Sequence, residues 1–158
     1  MTSLNATDGM RIWVDADACP RVVKDILYRA AERRGVRLVL VANSRFATPR
    51  SEHIEFLQVG SGFDKADRAI IDLARSGDLV VTTDIPLAAG VIEKGGTGLS
   101  PRGEVFNAEN IRGRLTMRDL MDELRGSGVM TGGPAALRPR DRQEFSNQLD
   151  RLLTSRGL

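Results

Sequence analysis

The chain has 158 residues, 41% of them hydrophobic, with 23 Lys/Arg against 21 Asp/Glu and a formal net charge of +2; that is enough for a single domain with a real core, and no long Pro/Gly/Ser linker divides it. One cysteine, Cys19, and one histidine, His53, exclude an internal disulfide, a thiolate zinc cluster and a multi-histidine metal site. No run approaches the roughly 18 apolar residues of a membrane span, and the start lacks the basic-then-apolar order of a secretion signal, so a cytoplasmic protein without membrane contact is expected.

Residues 1–10 are polar and without periodicity and read as a flexible lead-in to one domain over 11–158. Arg11-Ile12-Trp13-Val14 then runs into Asp15-Ala16-Asp17-Ala18-Cys19-Pro20. An unalternating apolar run is the signature of a strand covered on both faces, and Pro20 suits the first position of a following helix. Asp15 and Asp17 are thereby placed just past the carboxyl end of a central strand, where open α/β sheets bind ligands. Val22, Val23, Ile26, Leu27, Ala30 and Ala31 give that helix one apolar face as far as Gly35, and Val36–Ala42 reads as a second buried strand. A strand–helix–strand unit of this kind makes a right-handed crossover and a parallel pair.

The loop Asn43–Ser51 carries Arg45, Phe46 and Arg50 on the Asp15 side of the sheet. It reads either as a phosphate-backbone clamp with a stacking aromatic or as an ordinary connection with Phe46 tucked onto the core. His53–Val59 is expected to be an edge strand. In the next segment Ala66, Ala69, Ile70, Leu73 and Ala74 form a helical stripe, while Asp64 and Asp67, three apart, share another face. These two acids could line a site or form a capping-box pair, with Asp64 as N-cap.

Leu79–Ala88 repeats the opening theme, an apolar strand, a carboxylate at its end (Asp84) and a proline in the first helical turn (Pro86). If these two strands are neighbours at a switch point, Asp15 and Asp84 converge on one crevice. Asp78 starts the same strand, roughly 17 Å away at about 3.3 Å per residue, and reads as a turn residue outside the cluster. The glycine-rich Gly95–Gly98 and the turn Ser100–Gly103 separate short β-like pieces such as Glu104-Val105-Phe106. Neither Gly60-Ser61-Gly62 nor Gly95-Gly96 has the spacing of a dinucleotide or P-loop cradle. Two helices complete the chain, one with the stripe Met117, Leu120, Met121 and Leu124, the other with Phe145, Leu149, Leu152 and Leu153, its start marked by Asp141 and Glu144 as a capping-box variant. They are expected to pack on the sheet or to form a homodimer contact, with Met117 and Met121 in the core. Gly132-Gly133-Pro134 through Pro139 is the link between them.

Charge is unevenly spread. Residues 60–96 carry 4 basic and 6 acidic side chains, whereas 1–59 carry 9 and 7 and 97–158 carry 10 and 8. Two like charges about 4 Å apart at an effective dielectric near 20 repel by about 4 kcal/mol, so a cluster of Asp15, Asp17, Asp64 or Asp67, and Asp84 either takes up protons or holds a cation. Oxygen ligands alone favour a hard ion, Mg²⁺ or Mn²⁺. Such an ion beside basic side chains suits phosphodiester hydrolysis. Asp15 and Asp84 are then metal ligands, Asp67 or Asp64 closes the site or orients water, Asp17 joins the catalytic set, and Arg21, Lys24, Arg45, Phe46, Arg50 and Lys65 contact nucleic acid.

The runs Trp13–Pro20, Gly62–Asp67 and Thr82–Ala88, with Gly132-Gly133-Pro134, resemble the YaiI/YqxD family of uncharacterised bacterial proteins over roughly residues 11–156. That family is similar to PIN-like nuclease domains. The resemblance implies a three-layer α/β fold with a mainly parallel sheet of order 3-2-1-4-5 between helices and an acidic cluster that binds Mg²⁺ or Mn²⁺; for the nuclease read from these residues, RNA rather than DNA is the expected substrate. By it the first-strand acid is Asp15, the helix acid Asp67 or Asp64, and the fourth-strand Thr-x-Asp is Thr82 and Asp84. The extension Asp17–Pro20 departs from the usual PIN opening. Two other readings stand beside this one. A nucleic-acid-binding or regulatory protein without turnover would use the same surface, and a haloacid-dehalogenase-like phosphatase would use Asp15 as nucleophile and Asp17 as acid/base, although Ala18-Cys19-Pro20 lacks the hydroxyl residue that chemistry wants.

Overall fold

The computed structural model describes residues 9–62, 64–128 and 136–158. Strands β1 (Arg11–Asp15), β2 (Arg37–Ala42), β3 (Ile54–Gln58), β4 (Leu79–Val81), β5 (Thr97–Leu99) and β6 (Val105–Phe106) form one sheet of order β3-β2-β1-β4-β5-β6. The first five strands are parallel and β6 pairs antiparallel with β5 at the edge. The order expected from the sequence is thus present, with one short strand added. Helices α1 (Arg21–Arg34) and α5 (Pro139–Ser155) cover one face, and α2 (Lys65–Leu73) and α3 (Ile85–Glu93) cover the other, giving three layers.

Alternation along the buried strands divides the core in two. Ile12, Val14, Leu38 and Leu40 point toward Val23 and Leu27 of α1 and Phe145, Leu149 and Leu153 of α5. Trp13, Val39, Val41 and Val80 meet Ile70 of α2 and Leu87 and Val91 of α3. Between β4 and β5, Gly96 and Gly98 allow α3 to lie close. A Cβ at Gly96 would stand 2.6 Å from Val91 Cγ1 and 2.7 Å from the Asp78 carbonyl, and one at Gly98 would stand 3.0 Å from Phe106. The glycine-rich run is therefore a strand whose missing side chains create room for its neighbours, rather than a spacer between strands.

Several local expectations are corrected. Pro20 is the N-cap of α1, one place before the first helical residue, after a single 3₁₀ turn over Ala16–Ala18. Asp64 precedes α2 with φ +66° and makes no side-chain cap bond, so there is no capping box with Asp67. Leu73 is 42% exposed at the end of α2 because Ile70 and Ala74 occupy the sheet-facing positions. Asp141 lies in the first turn of α5 and accepts the Arg138 N–H at 3.0 Å, so the helix starts earlier than a cap at Asp141 implies. On α4 (Ile111–Gly126) the core contact is made by Ile111 and Leu115 against α3, whereas Met117 and Leu120 are 48% and 47% exposed. Of the stripe read from the sequence, Met117 and Leu120 thus face outward, while Met121 and Leu124 are half-buried. The link 132–134 and the lead-in 1–8 lie outside the described residues.

Asp78 is the clearest surprise. It immediately precedes β4 at the end of the sheet away from Asp84, outside the cluster and closing the turn from Arg75 as expected, but it is 2% exposed. Its carboxylate accepts the Arg11 N–H (3.0 Å), Trp13 Nε1 (3.0 Å) and Arg75 N–H (2.9 Å), and pairs with the buried Arg11 guanidinium at 3.4 Å. Removing one partner of such a buried pair leaves the others uncompensated, at a cost of about 3–5 kcal/mol. Asp78→Ala is therefore expected to lower urea-unfolding stability by that amount, and a loss under about 1 kcal/mol would show that the network contributes little.

Candidate active site

The site is built at the carboxyl ends of β1 and β4, adjacent parallel strands at the point where strand order reverses. Asp15 is the last residue of β1, and β4 ends at Val81 so that Thr82 and Asp84 follow at the same edge. The Thr82 hydroxyl donates to Asp15 Oδ2 at 3.0 Å and accepts the Asp84 N–H at 2.9 Å, tying the two strand ends together. Asp84 is also the N-cap of α3, its Oδ1 accepting the Leu87 N–H at 3.0 Å. One carboxylate oxygen is thus committed to the helix, which fixes the side chain. Asp67 enters from the first turn of α2.

The charges here are poorly compensated. Burial raises the Asp15 pKa; the Thr82 hydrogen bond opposes this, and Asp84 and Asp17 add to it. Asp67 is pushed up to about 7 by burial first, then by the charge of Asp84 and a hydrogen bond shared with it, then by Asp15 and Asp64. Three elements therefore bring Asp15, Asp67 and Asp84 into one electrostatic cluster. Asp67, not Asp64, is the helix acid that bonds to Asp84; Asp64 is exposed and acts on Asp67 by charge alone. Asp17 is exposed on the 3₁₀ turn, where its Oδ2 accepts the Asn43 N–H at 2.7 Å and holds the end of β2 to the end of β1. Among the described residues no group of three or more His, Cys, Asp or Glu side chains is already arranged to hold a metal ion. The donor chemistry nevertheless suits a hard cation, because Mg²⁺ commonly uses one or two carboxylates and keeps waters at its other positions.

A family model described as "Uncharacterized BCR, YaiI/YqxD family" matches residues 13–155. The chain belongs to this family. It is 61% identical over 147 residues to a UPF0178 protein of Thioalkalivibrio sulfidiphilus, covering 93% of this chain and all of that one. Another UPF0178 protein, of Aromatoleum aromaticum, is 62% identical over 144 residues, covering 91% of this chain and 96% of the relative. A third, of Maridesulfovibrio salexigens, is 57% identical over 145 residues, covering 92% and 96%. No solved structure matches the chain. Family membership carries no activity with it, so the chemistry rests on the site itself.

The basic residues flank the acids unevenly. Arg21 and Lys24 lie on the first turns of α1 and line a cleft of about 550 Å³ with Phe46 and Pro49. Phe46 is only half-exposed. Its ring packs edge-on against Phe56 at 4.8 Å and is covered by Lys24 Nζ at 4.0 Å, so the tucked arrangement is found rather than an open stacking platform. Arg45 lies over Phe56 at 5.0 Å, while Arg50 and Lys65 are exposed. Cys19 is buried and its thiol is pushed up to about 12, chiefly by burial, which removes it as a nucleophile. Thr82 is the functional contact that residue-by-residue reading left out; only the resemblance pointed to it, because a threonine at a strand end carries no signal of its own.

The raised Asp67 has a consequence for metal-free protein. Its native form holds a proton that the unfolded chain loses near pH 4, so the associated stability is present at low pH and is lost as pH rises through about 7. Asp67→Asn, neutral at every pH, is expected to gain in melting temperature over the parent by more at pH 8 than at pH 5 in EDTA. A difference independent of pH would show that Asp67 is not held in the cluster.

Proposed function

We propose that this protein is a PIN-like, Mg²⁺- or Mn²⁺-dependent nuclease that hydrolyses phosphodiester bonds in RNA. The observation that carries this reading is the junction of Asp15, Thr82 and Asp84 at two neighbouring strand ends, with Asp67 added from α2. An acidic cluster with this little compensation gains stability by taking up a cation, and a bound divalent ion supplies charge stabilisation to a phosphodiester under attack.

In this reading Asp15 and Asp84 would hold the ion, the Asp15 carboxylate kept in place by the Thr82 hydroxyl and the Asp84 carboxylate by the Leu87 N–H. Asp67 faces the attacking water, orients it and accepts its proton as the new P–O bond forms. The bond to the leaving ribose oxygen breaks, and that oxygen is protonated from solvent. Asp17, already bonded to the Asn43 backbone, positions the β1 end rather than taking part in proton transfer. Arg21 and Lys24 at the start of α1 hold the phosphate backbone, helped by the positive end of that helix, with Arg45, Arg50 and Lys65 as outer electrostatic contacts.

The test pairs metal binding with turnover. Calorimetric titration of Mn²⁺ into the parent is expected to show binding that Asp84→Asn weakens at least tenfold, and RNA cleavage in Mg²⁺ or Mn²⁺ is expected to fall about 10²–10³-fold in the same variant. A DNA oligonucleotide of the same sequence checks the preference for RNA. Unchanged metal uptake in Asp84→Asn would remove the site. RNA binding without cleavage in either metal, unaffected by that substitution, would instead establish a binding protein without turnover.

A further inference from the structure

A second cleft, of about 510 Å³, opens beside the acidic cluster and is used by nothing described above. Its volume lies within the range of small-molecule sites. One wall is formed by Ala18, Pro20 and Arg21, directly after Asp17, and another by Thr83 and Ile85, on either side of Asp84. The rest of the lining includes the β5–β6 turn, with Ser100, Pro101 and Arg102, and the pair Glu104–Arg114 beside Phe106. We propose that this cleft holds the base and ribose of one unpaired nucleotide, with its phosphate at Arg21 and the neighbouring phosphate at the Asp15–Asp84 cluster.

The lining separates into parts that suit a nucleotide. Pro20, Val22 and Leu137 offer half-buried apolar surface for the faces of a base, and Ile85, Pro101 and Phe106 line the cleft from buried positions. The polar rim is held in place before any ligand arrives. Arg114 meets Glu104 through both Nε (2.7 Å) and a terminal nitrogen (3.0 Å), with its guanidinium 5.9 Å from the Phe106 ring centre. Arg102 is anchored by Asp141 at 2.7 Å. Fixed polar groups of this kind read the edge of a base at little entropic cost. Arg21 differs from both, being exposed and without an acidic partner among the described residues, on a helical turn that contains no acid. It lines this cleft and also the one beside Lys24 and Phe46, so a phosphate bound there has a cavity on each side.

This inference rests on the nuclease reading for its substrate class, but binding can be measured without turnover. With the full chain in EDTA, AMP and UMP are titrated by calorimetry against ribose 5-phosphate and inorganic phosphate. The mononucleotides are expected to bind at least tenfold more tightly than ribose 5-phosphate. Ala136→Trp, which fills the cleft from an exposed position on its rim, is expected to remove that advantage while leaving ribose 5-phosphate binding in place. Thr83→Trp fills it from the other side and serves if the first variant does not fold. Arg21→Ala is expected to weaken mononucleotides and ribose 5-phosphate alike. Equal affinity for mononucleotides and ribose 5-phosphate, or mononucleotide binding that both tryptophans leave intact, overturns the subsite. RNA cleavage undiminished in both tryptophan variants overturns it too and leaves the nuclease standing, whereas selective mononucleotide binding in a protein that cleaves nothing supports the subsite and removes the nuclease.

Discussion

The hydroxyl of Thr82 is the smallest group on which the site depends. It lies between two strand ends, giving its proton to Asp15 and receiving the amide proton of Asp84. Without such a bridge two carboxylates at adjacent parallel strand ends would separate to reduce repulsion. With it, Asp15 is held toward the second strand, and the start of α3 is set by the bond between Asp84 and Leu87. The remaining architecture supplies the condition for this contact, which is that β1 and β4 lie side by side and parallel in register, with Val14 opposite Val81.

The strands themselves were readable from the chain through strong, local signals, whereas their order was implied only by the family resemblance. The apolar runs at Ile12–Val14, Leu38–Val41 and Leu79–Val81 are continuous because both faces of each strand are covered. The repeated strand–acid–proline pattern at Asp15 and Asp84 marks two equivalent strand ends. Of the stripe Phe145, Leu149, Leu152 and Leu153 on α5, three residues are fully buried and Leu152 is half-buried against the same core. Where periodicity was matched by burial on a single face, the sequence pattern and the structure agree.

The departures arise where a local pattern fits two environments equally well. An acid followed three residues later by another acid fits a cap as well as a site, and only the left-handed backbone at Asp64 separates the two. Phe46 in a polar loop gives no sign that Phe56 and Lys24 will enclose it, since both contacts are distant in the chain. The apolar positions of α4 match a buried helix, yet α4 meets α3 by its first turns and leaves Met117 and Leu120 outward. Asp78 does close the turn after Ser76-Gly77, but nothing local announces its burial. Its real partners, Arg11 and Trp13, are more than sixty positions away.

Asp78 and Asp67 together show how the molecule treats its acids. Asp78, at the amino end of β4, is the more deeply buried of the two, but it is surrounded by two backbone N–H groups, an indole N–H and a guanidinium. These donors satisfy the carboxylate oxygens and repay much of what burial costs. Asp67, near the carboxyl end of the same strand, is less buried but faces Asp84, Asp15 and Asp64, and its principal hydrogen-bonding neighbour is another acid. Burial alone therefore does not distinguish a structural carboxylate from a reactive one; the supply of donors does. Asp78 before β4 accepts from two backbone N–H groups, an indole and a guanidinium, whereas at the carboxyl ends of β1 and β4 Asp15 and Asp84 accept from Thr82 Oγ and the Leu87 N–H and face each other and Asp67. At that end negative charge is left for a proton or a cation to balance. On the nuclease reading, Arg21 and Lys24 at the start of α1, with Arg45, Arg50 and Lys65 further out, would draw a phosphate toward that edge, so the same division bears on the direction of its approach.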